Sequence, residues 1–161
     1  GMAYPFGTYS DATVDCLKKA GLAYGRTVIS SHSFDLPGDW LRLEATCHHN
    51  DPELMGLAKK FVEETPLWGS WMFYLWGHSY EFEVNANWNV IEEFAAFTGG
   101  HDDIWYATNI QIYDYVQAWQ RLEFSVDGRQ VHNPTATELY FQEMGEKGEV
   151  HRISPGGYLE S

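Results

Sequence analysis

Residues Gly77-His78-Ser79-Tyr80-Glu81 follow an almost wholly apolar run, Trp71-Met72-Phe73-Tyr74-Leu75-Trp76. A histidine delivered where an apolar strand stops can serve as general acid or base near neutral pH. Glu81 and Glu83 are close enough in sequence to orient or charge it, with Glu83 reading better as a solvated carboxylate. A second group of ligand types is Thr46-Cys47-His48-His49-Asn50-Asp51. Zinc favours imidazoles, but neighbours on an extended segment point in opposite directions and no third ligand is evident. No metal ligands are therefore assigned. His48, just ahead of a helix, reads either as a substrate contact or as part of the approach to that helix. His101-Asp102-Asp103 follows Gly99-Gly100 and reads as a turn, and His32, His132 and His151 have no nameable partner. Asp35-Leu36-Pro37-Gly38-Asp39-Trp40 combines carboxylates with an indole, as a cleft wall or as a capped turn over a buried Trp40.

Elements must hold these groups in place. Six apolar and aromatic residues between Gly69 and Gly77 predict a strand buried on both faces. In parallel α/β folds the carboxyl ends of such strands carry the chemistry. The region 2–6 predicts a short strand, and Ser10 caps a helix to about Ala20 that Gly21 stops. Strands are expected over 23–30 and 40–46. Pro52 opens a helix in which Leu54, Leu57, Ala58, Phe61 and Val62 form one apolar face. Further helices are expected over 89–98 and 109–121, with a short strand over 104–108 between them. Beyond Leu122 the pattern becomes β-rich. Asp127-Gly128 predicts a type I′ hairpin, and strands are expected over 138–142 and 149–153. The expected organisation is an α/β domain over 1–121 and a β-rich extension over 122–161. Strand–helix alternation predicts a parallel sheet or part of a barrel. The chain of 161 residues is too short for a full eight-fold barrel, which needs roughly 200.

Acidic residues outnumber basic ones 23 to 10, for a formal charge of −13. Such a balance argues against nucleic acid, which needs a basic face, and against anionic membranes. Aromatic residues make up 16% of the chain, with seven Trp and ten Tyr; most belong in a core, although an exposed aromatic beside a carboxylate suits a sugar platform. Cys16 and Cys47 form no C-x-x-C pattern and are expected as buried free thiols. With no signal-peptide pattern or long apolar span, a cytoplasmic location is expected. P-loop, G-x-G-x-x-G, G-x-S-x-G and H-E-x-x-H patterns are all absent.

Tyr4-Pro5-Phe6-Gly7-Thr8-Tyr9-Ser10, Asp39-Trp40 and Leu75-Trp76-Gly77-His78 together resemble the third, fourth and fifth motifs of the polysaccharide deacetylase family (NodB-like, carbohydrate esterase family 4), in order and spacing. The resemblance implies the second half of a distorted seven-stranded (β/α) barrel that removes acetyl groups from carbohydrates with a divalent metal, usually zinc. On that basis the backbone N–H of Phe6 would face the developing oxyanion, and His78 would be the general acid. Tyr4, Trp40, Leu75 and Trp76 would line the substrate site, with Leu75 forming the acetyl-methyl pocket and His48 as a further contact. Ala3 stands where the family's third motif has an arginine. The aspartate base and the metal ligands precede that motif and are not among these residues, so no cofactor is expected in this chain. The expected function is thus a deacetylase-like hydrolase, inactive alone; the alternatives are a non-catalytic carbohydrate-binding remnant using Trp40, Trp76, Tyr80 and the β-rich segment, or a purely structural one. Half a barrel leaves strand edges and a sheet face bare, which predicts a homodimer or higher assembly. Acetylated carbohydrate is the expected partner.

Overall fold

The computed structural model describes residues 1–67, 69–142 and 149–160. It is a mixed α/β structure dividing into two compact units, Gly1–Tyr106 and Ala107–Ser161. Among the described residues there is no closed barrel, and no helix is long and apolar enough to cross a membrane.

The first unit opens with β1 (Met2–Ala3) and a 3-10 turn, Pro5–Gly7. Helix α1 (Asp11–Lys19) follows, where the Ser10 hydroxyl accepts from the Thr13 amide as N-cap. Next come β2 (Gly25–Ser30), a 3-10 turn at Trp40–Arg42, β3 (Leu43–Ala45) and β4 (Cys47–His48). Helix α2 (Leu54–Glu63), β5 (Leu75–Trp76), α3 (Ser79–Val84) and α4 (Asn89–Thr98) complete the unit. β1, β2 and β3 form one parallel sheet in that order, and β4 pairs in parallel with β5. Only Thr46 separates β3 from β4. Its hydroxyl accepts from the Tyr74 amide and donates to the Ser33 carbonyl, so one buried side chain holds the break in the strand against both neighbours.

Two apolar clusters hold this unit. Tyr4, Val14 and Leu41 form one, with the Tyr4 hydroxyl donating to the Leu41 carbonyl at 2.7 Å. Phe34, Cys47, Leu54 and Leu57 form the other, joined by Phe61, Phe73, Leu75 and Phe94. Leu54, Leu57 and Ala58 of α2 are buried, as the helical spacing requires.

The second unit holds α5 (Asn109–Trp119), opened by a Thr108–Gln111 capping box. β6 (Glu123–Phe124), β7 (Gln130–His132) and β10 (Tyr158–Glu160) form an antiparallel sheet in the order β10-β7-β6. β8 (Leu139–Gln142) pairs antiparallel with β9 (Val150–Ile153). Ala118, Leu122, Val131, Leu139 and Ile153 make its core. The helix over 109–119 thus groups with the β-rich segment.

Several local expectations are corrected. Only Leu75 and Trp76 of the apolar run are a strand, and all six residues are half-buried rather than enclosed on both faces. Residues 104–108 form no strand. Asp127 does not take the positive φ that a type I′ turn needs; only Gly128 does (φ 71°), and the loop closes through Ser125 N–H to the Gln130 carbonyl. Cys16 is exposed, whereas Cys47 is buried.

Candidate functional site

Parallel pairing of β4 with β5 sets Cys47 beside Leu75 and His48 beside Trp76. Both strands therefore release their next residues, His49 and Gly77-His78, at the same carboxyl edge. The His49 amide continues the ladder to the Trp76 carbonyl. Helix α3 starts directly after His78 and returns Glu81 to that edge one turn later.

Three imidazoles meet one carboxylate there. Glu81 Oε1 lies 3.1 Å from His78 Nδ1 in a hydrogen bond. Its Oε2 lies 3.0 Å from His49 Nε2 and 3.3 Å from His48 Nε2. The His49 side chain is only 2% exposed. Neither His49 Nε2 nor Glu81 Oε2 has an aligned hydrogen-bond partner, despite their proximity. The Phe82 ring lies 4.2 Å from the His49 ring, and Gly77 approaches the ring so closely that a Cβ there would overlap it. The His48 ring packs edge-on against Trp76 at 4.5 Å, and the Arg26 guanidinium sits 4.2 Å over the same indole.

Burial is the largest influence on both strand-end histidines. It pushes His48 and His49 below the usual imidazole range, against the opposing pull of Glu81. Both rings are therefore neutral at neutral pH. The tautomer of His48 follows from its other nitrogen, because the Asn50 amide donates to Nδ1 at 3.1 Å. The proton of the neutral ring must then be on Nε2, facing Glu81.

His48, His78 and Glu81 bring one donor atom each within 4.8 Å of one another, and donors around a tetrahedral zinc are about 3.4 Å apart. Spacing alone would suit a divalent ion. As held by the Asn50 amide, His48 presents an N–H toward Glu81, so ligation through that nitrogen would exchange the amide bond for one to the ion. Imidazoles converging on a carboxylate are groups that can exchange protons or hold a divalent ion.

The other expected site residues are placed unevenly. Phe6 lies fully exposed at the carboxyl end of β1 with φ 55° and ψ 16°, a left-handed conformation that non-glycine residues rarely take. Tyr4 is a core residue stacked on Tyr9 at 4.6 Å, which removes it from the expected substrate contacts. Leu75 is half-buried and packs on the Phe34–Cys47 cluster; Trp40 is also half-buried. A cleft of about 390 Å³ lies beside the loop carrying Asp35 and Asp39, with Arg42, Glu44 and Met72 on its walls. None of His48, His49, His78 and Glu81 lines it.

Several other histidines acquire partners that sequence did not reveal. His32 pairs with Asp51 at 2.7 Å, His132 with Glu123 at 2.8 Å, and His101 reaches the Phe97 carbonyl at 2.9 Å. His49 was the member of the main cluster not assigned from sequence, whereas Glu81 was read there as able to orient His78. The signal that would have found His49 is the register of β4 against β5, across a separation of about thirty residues. No family model, no curated protein and no solved structure matches the chain.

Proposed function

We propose that this chain carries the general-acid side of a carbohydrate deacetylase, hydrolysing acetyl groups when the base and metal of the other half of such a domain are supplied. One observation carries the reading. His78, the residue that the resemblance assigns as general acid, stands at the carboxyl end of a parallel strand with a carboxylate bonded to its Nδ1. The chain-order succession of parallel strands, β1-β2-β3 and β4-β5, is compatible with a barrel segment. Exposure of Phe6 in a strained turn at another strand's end suits a backbone donor kept free for an oxyanion. Trp76 precedes the general acid on its own strand, beside His48, and would face the sugar.

Acetate release from an N-acetylchitooligosaccharide or acetylated xylan tests the proposal, with the chain joined to an upstream segment bearing the family's first two motifs and with zinc present. Release that disappears in His78→Ala supports it. No release from the joined protein overturns it. A second reading, a non-catalytic glycan-binding surface, draws on Tyr80, an exposed ring 5.3 Å from the His78 ring. Glycan binding by the chain alone that is lost in Tyr80→Ala and unaffected in His78→Ala would favour it.

A further inference from the structure

We infer that Glu81 is the positioning residue of His78, fixing the ring with its proton on Nδ1 so that Nε2 is the atom that exchanges a proton with substrate; the inference rests on the proposed role of His78. A carboxylate can only accept, so the 3.1 Å bond to Oε1 requires an N–H at Nδ1. Among the described residues no partner is recorded for His78 Nε2 in a hydrogen bond or ion pair, and the side chain is half exposed. On the other side, Oε2 lies 3.0 Å from His49 Nε2 and 3.3 Å from His48 Nε2 without an aligned hydrogen bond. His49 is itself wedged between Gly77 and the Phe82 ring. The carboxylate thus lies between the histidines at the end of β4 and the ring it orients at the end of β5.

The charged and titratable groups facing this dyad are His48 and His49 from β4, Arg26 over Trp76 from β2, and Tyr80 from α3. Glu83 is not a competitor, because its Oε2 accepts from the Trp88 indole at 3.2 Å. In the transfer step the Nε2–H bond of the imidazolium breaks. Its proton bonds to the departing oxygen or nitrogen, which takes the electron pair of its bond to the acyl carbon. The ring is left neutral with its proton on Nδ1, and the bond to Glu81 persists throughout. One carboxylate therefore serves both protonation states without a ring flip.

The test is the tautomer of His78, read from long-range proton–nitrogen couplings in nitrogen-15-labelled full chain above the imidazole range, at about pH 8.5. Wild type is expected to carry the proton on Nδ1. A hydrogen bond to a charged acceptor contributes enough that Glu81→Ala should shift the tautomer ratio about tenfold or more toward Nε2–H. Glu81→Asp should lie between the two, and Glu83→Ala should match wild type. His48, held by Asn50, should remain Nε2–H in every variant and so reports that the end of β4 is intact. The inference is overturned by an Nε2–H ring at His78 in wild type, by an unchanged ratio in both Glu81 variants, or by one zinc per chain bound through His78. Acetate release is a separate measurement: its failure removes the deacetylase reading and leaves the tautomer result standing.

Discussion

Gly77 stands where no side chain fits, because a Cβ there would overlap Nδ1 of the buried His49 ring. Gly77→Ala should therefore cost about 1–3 kcal/mol through overpacking, and denaturant unfolding measures it. Gly38→Ala, where a Cβ meets nothing within 4 Å, should be nearly neutral. The two thiols differ in the same local way. Burial pushes Cys47 up to about 12, which keeps it a thiol across the neutral range, whereas Cys16 is exposed. Alkylation of the folded protein at neutral pH should give one adduct, at Cys16, by peptide mass mapping; modification of Cys47 in the folded state would contradict this burial. His78 was legible as a site residue because a titratable side chain directly after an apolar run is a local pattern. The wedge behind it was not. His49 was given no role because neighbours on an extended segment point in opposite directions, and its significance depends on a glycine and a carboxylate far along the chain.

At the scale of elements, the end of β4 ties pH to stability in two opposite ways. His48 and His49 are pushed down by burial, so between their folded and ordinary values the unfolded chain holds more protons than the native one. Stability is then present above about pH 6.5 and falls as pH drops through the depressed values. His32 is raised, chiefly by its bond to Asp51. Its contribution is complete below about pH 6.5 and is lost as pH rises through the elevated value. The His32 ring is exposed enough that water screens much of this effect, so the acid-side loss should be the larger. Urea midpoints from pH 8.5 to 5 should peak near the ordinary imidazole value. His32→Asn should flatten the alkaline side alone; an unchanged alkaline slope would show that the pair contributes nothing. The helices were readable for reasons the structure bears out, since α1 has its Ser10 cap and α2 its apolar face. Helix α3 was missed because Ser79–Val84 spans only six residues, too few for helical periodicity to outweigh strand-like alternation. Residues 71–74 mislead in the other direction. Their aromatic content reads as buried strand, but the Trp71 and Phe73 rings are used against Phe34, Phe61 and Phe94 while the segment remains half-exposed.

At the scale of the whole molecule, strand–helix alternation revealed the parallel part and the change to β-rich sequence revealed the antiparallel part. The helix between them was read with the α/β part, over 1–121, and instead packs with the β-rich segment. α5 carries an apolar face that suits either neighbour, and only its packing against the β8 region decides the matter. A larger question is what covers β2. Val28 and Ile29 point from opposite faces of this middle strand, yet they are 42% and 44% exposed. Parallel sheets are ordinarily covered on both faces, and the fully exposed Phe6 adds to the bare surface at the next strand's end. Self-association would cover it, but the charge of −13 opposes the approach of two copies. The screening length shortens to about 8 Å at physiological ionic strength, so association should strengthen with salt. Light scattering at tens of micromolar protein should rise from near 18.5 kDa at low salt toward twice that mass at about 0.15 M salt. Ile29→Lys, which places a charge on the exposed face without removing a core residue, should hold the chain at the monomer mass in both conditions. A wild-type monomer at both ionic strengths would mean that these apolar faces remain open to water in the isolated chain.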